Sequence, residues 1–180
     1  MGGNPLLDII FGGIRGNRVR RARHPREVEY GDVVCVESGR IGLKRYGIWT
    51  GGNFILYGEN RRGRKIVHEE SFRDFLGGTE HFAICEFPRT YGRPIEWEQT
   101  SPFSSVVMPQ HKIWRMLERE RRAEAYRLYP PHETVCRAKS KLGADGYPTS
   151  EHFALWCKTG IAESHELEAI RDFGEQLVVY

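Results

Sequence analysis

The chain has 180 residues, 39% of them hydrophobic and 28% charged, a formal net charge of +3 and a mean hydropathy of −0.54. That length suits one ordinary domain with its own core, no apolar run reaches the length of a membrane-spanning helix, and so mild a charge predicts no nucleic-acid partner. Cys35, Cys85, Cys136 and Cys157 are scattered without a CxxC pair, which predicts reduced thiols in a cytoplasmic protein rather than a zinc site or a disulfide framework.

Residues 1–27 read as a basic, glycine-containing N-terminal arm. Glycines at 2, 3, 12, 13 and 16 interrupt any regular element. Leu6, Leu7, Ile9, Ile10, Phe11 and Ile14 precede Arg15, Arg18, Arg20, Arg21, Arg23 and Arg26, with no acid among these arginines. Apolar residues ahead of basic ones reverse the order of a secretory signal, and Leu6 stands where a myristoylation signal has Ser or Thr. Such an arm could lie on an anionic membrane surface. An arm free in solvent or packed on its own domain is favoured, because one short segment binds membranes weakly.

Residues 28–180 read as one domain. Val33-Val34-Cys35-Val36 is an apolar, β-branched run that predicts a buried strand. Tyr46 to Thr50 and Phe54 to Tyr57 flank Gly51-Gly52-Asn53, a hairpin signal. Ile66-Val67 resumes a strand after a charged loop. Ser71 to Leu76 predicts a short helix capped by Ser71 and stopped by Gly77, and Phe82 to Phe87 a further strand. Arg89 to Gln110 predicts a long connection carrying one short strand at Ser105 to Met108. Helices follow over Lys112 to Leu128, Glu133 to Leu142, Ser150 to Thr159 and about Glu163 to Phe173. The first offers Ile113, Trp114, Leu117 and Leu128 for one face, with Glu118 to Arg122 as a solvated face. Strands first and helices last predict an α+β fold, an antiparallel sheet packed against C-terminal helices.

Gly31-Asp32, the Arg45-Tyr46-Gly47-Ile48-Trp49-Thr50-Gly51 strand and its hairpin, and Glu151-His152-Phe153 opening a helix together resemble the lecithin–retinol acyltransferase family, a branch of the permuted papain-like (NlpC-type) superfamily. Trp156-Cys157-Lys158-Thr159-Gly160 looks like the bacterial branch. The resemblance covers roughly 29–160 and implies a thiol site: a His base where this chain has Arg45, a second polar residue, usually His, where it has Tyr57, and a Cys nucleophile where it has Ser150. A thiolate at a helix N-terminus is stabilised by the helix dipole and an imidazolium and takes an acyl group from a lipid ester.

Each replacement removes part of that chemistry. Arg45 stays protonated and cannot act as a base. Tyr57 carries a phenol, a poor orienter of a missing imidazole. Ser150 lacks the base that a hydroxyl nucleophile requires. The segment between Tyr147 and Ser150 is also shorter than in the family.

Ser150 therefore reads more simply as a helix N-cap than as a nucleophile. Arg45 reads as the partner of an acid such as Glu59 or Glu151, or as a binder of phosphate or carboxylate. Cys157 shares a stripe with Phe153 and Ile161 and reads as core packing, with a displaced nucleophile as the alternative. His152 is expected to fix its helix against the sheet, and His68 and His81 to be structural or surface residues. His68-Glu69-Glu70 lacks the second His of a zincin motif, since Phe72 stands there, and the 51–52 glycines lack the GK[ST] of a phosphate loop.

The sequence thus predicts a catalytically silent relative, a pseudoenzyme without metal or cofactor. Its old cleft (Arg45, Tyr57, Ser150, Glu151) would hold an acyl chain, a lipid head group or a peptide. The alternative is an active acyltransferase or hydrolase using Ser150 or Cys157. A third reading is an interaction module whose basic arm engages an acidic surface. A cytoplasmic location, peripheral to membranes where the arm engages them, completes the expectation.

Overall fold

Six strands form one sheet in a computed structural model that describes residues 18–37, 43–91, 110–168 and 170–171. They are β1 (Arg18–Ala22), β2 (Val33–Glu37), β3 (Lys44–Trp49), β4 (Phe54–Glu59), β5 (Lys65–Glu70) and β6 (Phe82–Glu86), in the spatial order β1-β6-β2-β3-β4-β5. Every pairing is antiparallel. The helices are α1 (Phe72–Leu76), α2 (Gln110–Ala125), α3 (Pro131–Lys139) and α4 (Ser150–Thr159). Residues 165–168 are also helical. The fold is α+β.

Both faces of the sheet are covered, which is why Val33 to Val36 is apolar without alternation. Val33, Cys35, Tyr46, Ile48, Ile55, Tyr57, Val67 and Cys85 point to the helical face, where they pack with Val135 and Ala138 of α3 and Phe153, Ala154 and Cys157 of α4. Val34, Val36, Phe54, Leu56, Phe82 and Ile84 point to the other side and pack with Ala22, Val28 and Phe75. Phe75 belongs to α1, so this is the α1 face.

Local signals set several boundaries. Thr50 N–H donates to Asn53 O at 2.9 Å, closing the β3–β4 hairpin. Ser71 Oγ accepts from Asp74 N at 3.2 Å, and Gly77 ends α1 at φ 60°. Replacing Ser71 with Ala should lower folding stability by about 1 kcal/mol, read as a shift in the urea midpoint at unchanged slope. A shift indistinguishable from zero would mean that α1 does not depend on this cap.

Three expectations change. The arm boundary at 27/28 falls inside the folded body, because β1 pairs residue for residue with β6 over Arg18↔Glu86 to Ala22↔Phe82; Arg15 and the apolar stretch from Leu6 to Ile14 lie outside the described residues. The α3 helix begins at Pro131 rather than Glu133, since a proline in the first turn has no N–H to waste. In α2, Trp114 and Leu117 are exposed, so these two members of the expected apolar face are not buried. Instead Arg122, expected to be solvated, is half-buried and ion-paired to Glu163 at 3.2 Å and to Glu168. The strand expected at Ser105 to Met108 lies outside the described residues, as does the end of the last helix. Among the described residues no helix is long and apolar enough to cross a membrane.

Candidate functional site

The start of α4 is built from short-range bonds. Thr149, in extended conformation, is the N-cap: its Oγ1 accepts from His152 N at 3.3 Å, and His152 Nδ1 lies 2.9 Å from the same oxygen. Ser150, expected as the cap, is the first helical residue. Its Oγ accepts from the backbone N of Tyr46 at 3.1 Å. The β3–β4 ladder is limited to Ile48↔Ile55 and Trp49↔Phe54, so that the Tyr46 amide turns to the helix start. His152 thus steadies the cap rather than the sheet.

Glu151 is buried, 3% exposed, and anchors the next helical segment. Its Oε1 accepts from His165 N at 3.1 Å, and its Oε2 from Ser164 Oγ at 2.5 Å and Glu166 N at 3.4 Å. Burial pushes its carboxyl pKa up despite these donors. Glu166 is itself tied to β3, accepting from Lys44 N and Tyr46 OH at 3.0 Å each.

Tyr57 is buried beneath the short connection into α4. Its ring lies 5.5 Å from that of Tyr147 and 5.5 Å from Lys65 Nζ, and Lys65 Nζ donates to Pro148 O at 3.4 Å. Val67 and the α3–α4 connection exchange bonds of 2.8 Å with Gly143 and Ala144. Tyr147 packs edge-on against both Tyr57 and Phe153, with ring centroids 5.5 and 5.2 Å apart.

Arg45 points away from all of this. It stands opposite Val36 in the sheet, whereas its neighbour Tyr46 stands opposite Cys35, so Arg45 projects to the α1 face. There it is ion-paired with Glu70, its Nη1 donates to Asp74 O and Phe75 O at 3.4 Å each, and its guanidinium sits 5.5 Å above the Phe75 ring. The acid partner is neither Glu59 nor Glu151. Glu70 also contacts His68 Nε2 at 2.9 Å, while His68 Nδ1 faces Ile66 O at 3.0 Å. Of the four residues expected to line one cleft, Tyr57, Ser150 and Glu151 lie on the helical side and are packed or bonded, and Arg45 lies on the opposite side.

The thiols offer no substitute on this face. Cys157 is fully buried, and burial pushes its pKa well up. Cys85, hydrogen-bonded to Cys35 and buried, is also raised. Cys136, by contrast, is exposed, with His132 Nε2 3.5 Å from its sulfur. The i, i+4 spacing of these two residues was the available signal for that pair. No group of three or more His, Cys, Asp or Glu among the described residues could hold a metal ion.

Among the described residues an open groove lies on the α1 face, and sequence reasoning missed it. A groove of about 480 Å³ lies between the turn at Pro25–Glu27 and α1, lined by Pro25, Trp49, Phe72, Arg73, Leu76, Gly78 and Thr79. Trp49 meets Phe72 edge-on at 5.3 Å, giving an aromatic floor. The Arg73 guanidinium at its rim makes no hydrogen bond or ion pair with any described residue.

A second polar cluster joins α2 to the segment before the last helix. Glu163 accepts from Tyr91 OH at 2.9 Å and from Arg122 at 3.2 Å, and lies 3.4 Å from His165 Nε2. Burial acts to lower the His165 pKa, but the hydrogen bond and charge of Glu163, with Glu151 and Glu168 nearby, outweigh it and raise the pKa above its ordinary value. A raised imidazole contributes stability below its unfolded value, and that contribution is lost as pH rises through the folded one. The unfolding midpoint should therefore fall as pH increases above about 6.5, and His165→Gln should flatten that fall. An unchanged pH profile in the variant would remove His165 as its source.

No family model matches this chain, and neither a curated protein nor a solved structure matches it.

Proposed function

We propose that the chain is a non-catalytic binding domain of the permuted papain-like, lecithin–retinol acyltransferase-like kind. Its ligand is an acyl-bearing or other lipid molecule, taken in the groove on the α1 face rather than at the start of α4. A cytoplasmic site of action, peripheral to membranes, belongs to the same reading. The observation that carries the non-catalytic part is the engagement of each position that would supply chemistry. Ser150 accepts from the Tyr46 amide, Tyr57 lies under Tyr147, and Arg45 is ion-paired on the far side of the sheet. Support for the scaffold is the β3–β4 hairpin with α4 starting against β3. The ligand reading is supported by the groove's aromatic floor, where Trp49 meets Phe72 edge-on.

Incubation with an acyl thioester, followed by intact-mass measurement, should leave the protein unmodified. A covalent acyl adduct that disappears in Ser150→Ala or Cys157→Ala would overturn the non-catalytic reading. A fluorescent fatty acid should bind saturably, and filling the groove with Thr79→Trp should weaken it about tenfold or more. Binding that is absent, or indifferent to Thr79→Trp, would remove the groove from the proposal.

A further inference from the structure

β1 is the outermost strand of the sheet, and among the described residues its one strand neighbour is β6. An edge strand presents unused N–H and C=O groups along its free side, where another chain can pair. The strand reads Arg-Val-Arg-Arg-Ala, and no acid occurs from Arg15 to Arg26. The first acid after it, Glu27, is already engaged: it ion-pairs with Arg20 at 3.7 Å and accepts from the amides of Arg23 and His24 at 3.0 and 2.8 Å. The guanidinium groups of Arg21, Arg23 and Arg26 are exposed and make no hydrogen bond or ion pair with any described residue.

The register decides what kind of surface this charge can meet. Arg20 stands opposite Ile84 and so lies on the α1 side; Arg21 stands opposite Ala83 and lies on the helical side, with Val19, 46% exposed, opposite Cys85. A flat anionic bilayer lying against one side of the sheet would meet only one of Arg20 and Arg21. A second copy of β1 would bring like charges together across the pair, which is destabilising. An added strand of acidic sequence meets both sides, because its own side chains alternate, and it satisfies the free backbone groups as well.

We infer that β1 is a docking edge for an extended acidic peptide, which adds to the sheet as a seventh strand. Its glutamates or aspartates would face Arg21 on the helical side and share Arg20 with Glu27 on the other, and an apolar residue would pack beside Val19. This partner is independent of the lipid ligand proposed for the groove.

The test uses the full chain and a labelled peptide of about ten residues, glutamate and valine in successive pairs, so that acids fall on both sides of a strand. Two further versions carry N-methyl groups on odd or on even residues. An added strand donates to β1 from alternate residues, so one version should lose about tenfold or more in affinity and the other should bind like the parent. Backbone amide resonances of Arg18–Ala22 should shift on binding, and Arg21→Glu/Arg23→Glu should weaken binding about tenfold with a reduced salt dependence. Equal binding of both methylated versions would reduce the effect to charge attraction and overturn strand addition. Shifts confined to other strands would overturn the site. Binding to phosphatidylserine vesicles without binding to the peptide would overturn the partner in favour of a membrane.

Discussion

Replacing Gly31 with alanine should cost about 3 kcal/mol of folding stability. Gly31 has φ 83°, a conformation in which a side chain costs roughly 1–2 kcal/mol for steric reasons alone. The added Cβ would stand 2.5 Å from Pro131 Cα, 2.7 Å from Pro131 Cβ and 2.8 Å from Pro131 O. Two of these are backbone atoms at the first residue of α3, so relief requires moving a helix. The glycine cannot yield either, because its N–H donates to Trp49 O at 2.8 Å while Trp49 N–H donates to Asp32 O at 2.9 Å. Gly78 is the internal control: its φ is 89° and a Cβ there meets nothing within 4 Å. Gly78→Ala should show only the conformational cost. Urea unfolding followed by circular dichroism separates the two, and equal losses at both positions would mean that α3 does not close on Gly31.

Truncating Phe75 to alanine should cost about 3–5 kcal/mol. The ring is fully buried, stacks on Phe54 with centroids 4.0 Å apart, and lies under the Arg45 guanidinium. Gly47 leaves room for it, since a Cβ there would come within 2.8 Å of Phe75 Cε2. A helix of five residues has no stability of its own, so α1 is held by this anchor, by its caps and by Phe72. Losing the anchor should also disorganise the groove, because Phe72, Arg73 and Leu76 are all α1 residues that line it. The variant should therefore lose fatty-acid binding more steeply than stability, and Phe75→Leu should recover most of both. A loss under about 1 kcal/mol would mean that α1 is not seated on this face.

The two variants touch parts of the molecule that differ in how well they can be read from residues alone. Gly31 and the hairpin glycines are conspicuous in the chain, and Ser71 and Gly77 mark both ends of α1 by residue type and spacing. The span Ser150 to Thr159 is equally plain, although the capping oxygen belongs to Thr149. β1 was hidden because three arginines in five residues carry little strand signal; pairing with β6, not propensity, makes it a strand. The groove was hidden for a related reason. It is formed by the turn at Pro25–Glu27, the end of β3 and α1, which are neighbours only once the chain crosses the sheet.

Local chemistry in the sequence determined the types and order of the described elements from β2 onward, the hairpin and most caps and stops, because those depend on residues a few positions apart. The faces were decided only by tertiary structure. Where one side of a sheet is wet, polar and apolar alternation labels the two sides, and a one-residue change of register is visible as a misplaced charge. Here β2, β3 and β4 are buried on both sides, so the alternation carries no such label. Nothing adjacent to Arg45 in the chain says whether it faces α4 or α1. Glu70, Asp74 and Phe75, brought from 25 to 30 residues away, hold it on the α1 face, and that placement separates it from Ser150.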